Sequence, residues 1–335
     1  MTLGRLNIAS VSRSDGTSGH DNMGGMKLVG VLVLVAAAVV CAAAPPQMTL
    51  KVGVDLVNVL FTVTDRKGHL VTGLNREDFL IEEDGKKQDI RFFSRENELP
   101  LTLGLLIDTS PSVRPTFDQE QAAANRFFET VIRPQDLAMV INFDKSVTLV
   151  QDFTENVRSL QRAVDSLEIG PTMDGGTSLY DAVYLAAREK LKPEAGRKAI
   201  ILISDGDDTT SRIRADESMI AVHSSDAVIY SIAIGGGGFR AFSSRRMISN
   251  GDHGTLKRLS EETGGSFFNI DDSKDFDQAF ARINEELRNQ YSLGFVSSNP
   301  LKDGKYRRLK IIPRDQTYRI QARKGYYAAK GSDSQ

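Results

Sequence analysis

The stretch Leu103-Gly104-Leu105-Leu106-Ile107-Asp108-Thr109-Ser110-Pro111-Ser112 runs from bare apolar residues straight into one carboxylate and two hydroxyls. An apolar run without polar alternation is the pattern of a strand covered on both faces, as in a parallel sheet. Three more such runs follow, Leu137 to Phe143, Ala199 to Ile203 and Val228 to Ile234. Between and after them, Phe117 to Ile132, Thr154 to Leu167, Ser178 to Leu191, Arg214 to His223, Thr255 to Thr263 and Lys274 to Arg288 carry helical period. Strand and helix alternating in this rhythm predict an α/β fold with a doubly wound, mostly parallel sheet over residues 99–290.

The flanks read differently. From Val54 to Phe93, apolar and polar residues alternate in short runs broken by Arg66-Lys67-Gly68 and Asp84-Gly85, which are strand and turn signals. Alternation returns in Tyr291 to Ser297, Arg307 to Pro313 and Tyr318 to Arg323. Three short strands are thin for a core of their own. Residues 50–98 and 291–328 are therefore expected to share one small antiparallel β-sandwich into which the α/β domain is inserted, with 329–335 a disordered tail.

The chain has 335 residues, and 40% hydrophobic content is enough for a sizeable core. Lys+Arg 42 against Asp+Glu 44 leaves a net charge of -2, without the basic excess that nucleic acid binding needs. Lys27, the apolar run Leu28 to Ala44 and Pro45-Pro46 have the order of an export signal, read as a signal peptide or an uncleaved membrane anchor. The expected location is periplasmic, secreted or anchored to the outer face of a membrane. Residues 1–26 read as a disordered or untranslated leader, with Met23 and Met26 as alternative starts. Cys41, the single cysteine, lies inside the apolar run, so a cleaved protein has no thiol chemistry.

In an open α/β sheet, ligands gather outside the carboxyl ends of the strands. Three polar clusters stand there: Asp108 with Ser110 and Ser112; Thr177 after Gly175-Gly176; and Asp205 after Ser204. Two carboxylates and three hydroxyls form an all-oxygen set suited to a hard cation, Mg²⁺ first, with Mn²⁺ or Ca²⁺ also accommodated. Two carboxylates only neutralise a dication, so the metal wants a further anionic oxygen from outside. Asp108 alone reads equally as a turn or cap aspartate, and Thr177 as the N-cap of the helix from Ser178. Asp207 and Asp208 read as solvated loop carboxylates. The long connection after Val228 to Ile234 leaves on the same side, and its Phe239, Arg240, Phe242, Arg245 and Arg246 are candidates to flank an acidic partner.

The order Asp-x-Ser-x-Ser, then a distant Thr, then a distant Asp resembles the metal-ion-dependent adhesion site of the von Willebrand factor A family. That resemblance implies direct coordination by Ser110, Ser112 and Thr177, with Asp108 and Asp205 acting mainly through water. It further implies a partner protein that supplies an Asp or Glu carboxylate. Pro111 departs from the glycine the family often has there, and its fixed φ stiffens the loop. Thr62-Val63-Thr64-Asp65, Glu77-Asp78-Phe79, Leu179-Tyr180-Asp181-Ala182 and Arg323-Lys324-Gly325-Tyr326-Tyr327 look like phrases of a group of exported bacterial proteins first catalogued in Acidobacteria. Two other functions stay open. One is an Mg²⁺-dependent phosphohydrolase of haloacid dehalogenase type with Asp108 as nucleophile, although Ser110 stands where that chemistry wants a second carboxylate. The other is a scaffold with an empty site.

Overall fold

The bare apolar runs form strands that are buried along most or all of their length. In the computed structural model, which describes residues 56–96, 99–171, 175–234, 253–270 and 273–330, every residue of Leu101–Asp108 and of Val228–Ile234 is buried. The leader, the run from Leu28 to Ala44, the candidates from Phe239 to Arg246 and residues 331–335 lie outside the described residues.

The chain opens with β1 (Leu56–Thr64), β2 (Phe79–Glu83), β3 (Lys86–Gln88) and β4 (Ile90–Glu96). The α/β part then runs β5 (Leu101–Asp108), α1 (Phe117–Val131), β6 (Leu137–Phe143), β7 (Val147–Thr154), α2 (Val157–Asp165) and α3 (Leu179–Tyr184). It continues through β8 (Arg197–Ser204), α4 (Ala215–Ser225), β9 (Val228–Ile234), α5 (His253–Thr263), β10 (Phe267–Ile270) and α6 (Ser273–Arg288). The chain closes with β11 (Gln290–Val296), β12 (Tyr306–Pro313), β13 (Arg319–Ala322) and β14 (Gly325–Tyr327).

Six strands make the central sheet in the order β10-β9-β8-β5-β6-β7. All its pairings are parallel except β6 with β7. Both faces are covered. Leu103, Leu105, Ile201 and Ile203 pack with Phe127, Phe128, Phe280 and Ile283 on one side, while Leu106, Ile200 and Leu202 pack with Leu179, Val183 and Val222 on the other. Each such side chain removed from water contributes about 1.5–3 kcal/mol before chain entropy is charged against it.

The flanking strands form two antiparallel sheets, β13-β1-β11-β4 and β14-β12-β2-β3. β1 pairs with β11 and β13, and β2 with β12, so strands from before and after the α/β domain share hydrogen-bonded ladders. Phe61, Phe79, Phe93 and Tyr291 fill the space between the sheets, with Phe61 and Phe79 edge to face at 5.1 Å.

Four details differ from the sequence reading. The segment expected to be helical from Thr154 ends a strand, β7, and α2 starts only at Val157, because the Asn156 side chain accepts a hydrogen bond from Ser159 N and caps the helix there. The helix expected from Ser178 is α3 followed by a π-helical segment, Leu185–Leu191. The short strands β10 and β14 were missing from that reading, being too brief to show a period. Lys330 pairs with Asp303 in an isolated antiparallel bridge, so order extends past the expected start of the tail at 329.

Candidate metal centre

The chain leaves β5 toward β6 and β7 on one side of the sheet, then returns to β8 on the other side of β5 and continues outward to β9 and β10. The crevice between the ends of β5 and β8 is therefore the switch point at which such sheets hold ligands. Asp108 ends β5 and is fully buried there. Its Oδ1 accepts a hydrogen bond from Ser110 N at 2.8 Å, and its Oδ2 accepts one from Ser204 Oγ at 2.7 Å. The turn reading and the site reading of Asp108 thus hold together. Ser204 ends β8, and its Oγ accepts a hydrogen bond from Gly206 N at 3.0 Å. Gly206 has φ +88, a conformation that glycine adopts without a Cβ penalty, which turns the chain back beside Asp205. Burial pushes the Asp108 carboxyl up to about 6, the bonds from Ser110 and Ser204 hold it down, and the charge of Asp205 raises it. A buried carboxylate with a carboxylate neighbour has excess negative potential, which a cation would neutralise.

The hydroxyls converge on the same place. Ser110 Oγ and Ser112 Oγ lie 2.9 Å apart, Ser110 buried and Ser112 exposed, so the pair spans from the interior to solvent. Pro111 occupies the first position of a 3₁₀ turn, Pro111–Val113, where its fixed φ suits the turn and its missing N–H costs nothing. The departure from glycine is therefore compatible with the loop. A Cβ on Gly175 would stand 3.3 Å from the Pro111 ring, and one on Gly176 would stand 2.6 Å from the Thr210 methyl. These two glycines let the segment before Thr177 pass between the β5 and β8 loops. Thr177 is buried, its N–H donates to Thr209 Oγ1, and its carbonyl accepts from Thr209 N and Thr210 N. Among the described residues its hydroxyl makes no hydrogen bond, which leaves that oxygen for a ligand.

Two expectations need correction. Thr177 does not cap the following helix: α3 starts at Leu179, and Ser178 stands in the cap position without a side-chain cap bond. Asp208 is no solvated bystander, since its Oδ1 accepts Ser211 Oγ at 2.5 Å and Tyr180 N at 3.4 Å and so ties the β8 loop to the start of α3.

Besides the role of Ser204 in holding Asp108, one residue of the site escaped the sequence reading. Glu120 of α1 is fully buried; its Oε1 accepts Thr116 Oγ1 at 2.6 Å, while its Oε2 has no partner. Burial pushes its carboxyl up to about 8, and the negative charges of Asp108 and Asp205 add to the rise. A signal existed, because Glu120 shares the spacing of Phe117, Ala124, Phe127 and Val131 on the buried face of α1.

The donors fit a hard dication: carboxylates at Asp108 and Asp205, hydroxyls at Ser110, Ser112 and Thr177, and no histidine or thiol. Among the described residues no group of three or more His, Cys, Asp or Glu side chains could hold a metal, so any metal here relies on hydroxyl oxygens. The proposed flanking residues Phe239, Arg240, Phe242, Arg245 and Arg246 lie outside the described part, and nothing places them beside the crevice.

The von Willebrand factor type A domain family matches residues 103–207, a span that holds all the candidate ligands from Asp108 to Asp205. Among solved structures, an aerotolerance-related membrane protein from Bacteroides fragilis carrying multiple mutations to serines is 18% identical. That match covers 56% of this chain and 98% of that one, with a TM-score of 0.45. Proximal thread matrix protein 1 from the mussel byssus, solved with a zinc-occupied MIDAS motif, is 14% identical over 60% of this chain and 48% of its own, with a TM-score of 0.47. The vWF domain of the type V pili tip protein Mfa5 from Porphyromonas gingivalis is 12% identical over 61% and 99%, with a TM-score of 0.42. This chain thus spans about half of the mussel protein. No curated protein sequence matches it. The strand order and the five ordered oxygen donors at its switch point accompany this match, and residues 103–207 are similar to a von Willebrand factor type A domain.

Proposed function

We propose that this chain is an exported, non-enzymatic binding module whose type A domain holds one divalent cation, Mg²⁺, and docks on it the Asp or Glu carboxylate of a partner protein. The observation that carries this reading is the convergence of the Ser110 and Ser112 hydroxyls, 2.9 Å apart, beside a buried Asp108 that lacks a cationic partner. Ser110, Ser112 and Thr177 would hold the cation directly, and Asp108 and Asp205 through water. With two carboxylates the site balances the charge of a dication without exceeding it, so a metal held by neutral hydroxyls keeps its attraction for an outside carboxylate. Chemistry at Asp108 as a nucleophile finds no support in the geometry, because both its oxygens are tied down and Ser110 offers no acid or base. Export rests on Lys27 and the run to Ala44. Among the described residues no helix is long and apolar enough to cross a membrane.

The test is calorimetric titration of Mg²⁺ into the protein and into its Ser110→Ala/Ser112→Ala variant, followed by water-proton relaxation with Mn²⁺ in the presence and absence of acetate. One site is expected in the native protein, weakened about a hundredfold or more by loss of two ligands, and acetate should displace metal-bound water. Equal Mg²⁺ binding by the double variant would reject the metal site. Unchanged relaxation with acetate would reject carboxylate docking.

A further inference from the structure

A cleft of about 100 Å³ lies at the opposite end of the sheet from the metal centre, where the starts of β8 and β9 meet the sandwich. Its lining includes Lys198 of β8, His223 and Asp226 at the end of α4, Thr263 of α5, Asn58 of β1, and Arg323 between β13 and β14. We propose that this cleft binds a small oxyanion, of the size of phosphate, sulfate or a simple carboxylate, between Lys198 and His223 of the type A domain and Arg323 of the sandwich.

Charge is the first support. Lys198 and Arg323 bring two positive charges and Asp226 one negative, which leaves the cleft with one unbalanced cation. Asp226 is already taken, since its Oδ1 accepts from Arg323 Nη1 at 2.5 Å, and Arg323 Nη2 donates to the Asn58 carbonyl. That pairing leaves Lys198, whose Nζ reaches, among the described residues, only the carbonyl of Lys192 at 3.3 Å. Partial burial lowers the Lys198 pKa further than Asp226 and Glu194 can restore it, while Lys192 lowers it more.

Unused donors are the second support. Among the described residues the His223 side chain makes no hydrogen bond, although the residue is only 6% exposed. Its ring stands at an angle to those of Tyr306 and Tyr327, and the residue lines the cleft, which offers its N–H an acceptor. Burial and the nearby Arg323 push it down to about 4, so at neutral pH it is an uncharged donor. Arg323 Nε is buried without a partner. An oxyanion would satisfy several of these groups at once and would bring the half-buried Lys198 ammonium a negative charge, which a water cannot.

Size limits the ligand. The cleft admits a few water-sized groups, which suits an oxyanion and excludes a nucleotide or a sugar phosphate.

The test follows the imidazole resonance of His223 in the full chain, distinguished from the other three histidines by His223→Gln. Sodium phosphate, sulfate and acetate are added separately at ionic strength held constant with chloride. A saturable, single-site shift is expected with at least one of these anions, with the His223 titration moving to higher pH as the anion neutralises its surroundings. Comparing the three arms tells a tetrahedral dianion from a carboxylate. Lys198→Met, which keeps the strand and its packing, should weaken binding about tenfold or more. A resonance that stays put or drifts linearly with all three anions would overturn the proposal. Saturable binding that Lys198→Met leaves unchanged would overturn the assignment to this cleft. The readout is independent of the metal site, so either proposal can fail alone.

Discussion

The two ends of the central sheet treat their buried charges differently. At the amino end, where β5 and β8 begin beside the sandwich, the buried acid has its own cation, although Arg288 Nε, Gln290 Oε1 and Arg323 Nε stay without partners among the described residues. Arg197 donates to the carbonyls of Leu99 and Leu287, Arg288 donates to Val131 O and pairs with Asp136 Oδ2 at 3.0 Å, and Asp136 Oδ1 accepts Leu101 N at 2.8 Å. At the carboxyl end the polar groups are left short. Ser110 and Ser112 hydroxyls find chiefly each other, Glu120 Oε2 finds nothing, and Asp108 has donors but no counter-charge. Folding alone would select against such an arrangement, since unsatisfied buried polar groups cost about 1–3 kcal/mol each. Buried acids without a counter-charge at one end, set against an ion-paired acid at the other, are what a cation site looks like before its ligand arrives.

The largest expected effect lies at the closed end. Arg288→Met removes the cation from a pair whose side chains are 11% and 4% exposed, and leaves the Asp136 carboxylate buried with only backbone donors. Breaking a buried pair costs about 3–5 kcal/mol, and the lower part of that range is expected because Leu101 N and Arg133 N still serve Asp136. Urea unfolding measures it. A loss below about 1 kcal/mol, the value of an exposed pair, would show that the amino end is not the clamp the comparison requires.

Next comes the pH dependence of the open end, measured in EDTA so that no metal competes. Glu120 titrates near 8 in the folded protein and near its ordinary 4.5 when unfolded. Its protonated form is the one the fold accommodates, so stability is held below about 4.5 and is lost as pH rises toward and through about 8. Glu120→Gln should remove that part of the slope and stabilise the protein at pH 8 by an amount on the order of a few kcal/mol. Asp108, pushed up to about 6, would leave a residual slope at lower pH in the same variant. A slope between pH 6 and 8 that is the same with and without Glu120 would mean that the carboxyl end holds its acids as comfortably as the amino end does.

These two ends were not equally legible in the sequence. The carboxyl end announced itself because position along a strand is enough: a polar cluster following a two-face-buried run must sit at the sheet edge where ligands bind, so Asp108, Ser110, Ser112 and Asp205 could be placed without coordinates. Thr177 was placed by its glycines, and the structure shows why, since Gly175 and Gly176 pass against Pro111 and Thr210. Ser204 and Glu120 were missed for a different reason. Their roles depend on what lies opposite in space, Asp108 across 96 residues of sequence for Ser204 and the absence of any cation for Glu120. The amino end was illegible for the same reason, because Arg197, Arg288 and Arg323 look like ordinary surface cations until the fold brings them to Leu287, Asp136 and Asp226. Strand β7 was lost because an edge strand with register shifts and only half-buried side chains shows no clean period.

The smallest expected effect probes the single place where the open end is rigid on its own account. Pro111 begins the 3₁₀ turn that brings Ser110 and Ser112 together, and its ring packs where Gly175 leaves room. Pro111→Gly keeps every donor and every native contact of the backbone, but it frees the unfolded chain and loosens the loop. The stability loss should be about 0.4–1 kcal/mol, chiefly through unfolded-state entropy. If the turn is what presents the two hydroxyls jointly, the same loosening is drawn on again when Mg²⁺ binds, and affinity should fall by up to about fivefold, as about 1 kcal/mol requires. Thermal melting and Mg²⁺ calorimetry on the one variant separate the two contributions. A melting point lowered as expected with Mg²⁺ affinity unchanged would show that proline serves the fold alone. Lowered affinity would show that this end is kept short of partners but not short of order: its two serine hydroxyls bond to each other because the loop holds them together for a ligand.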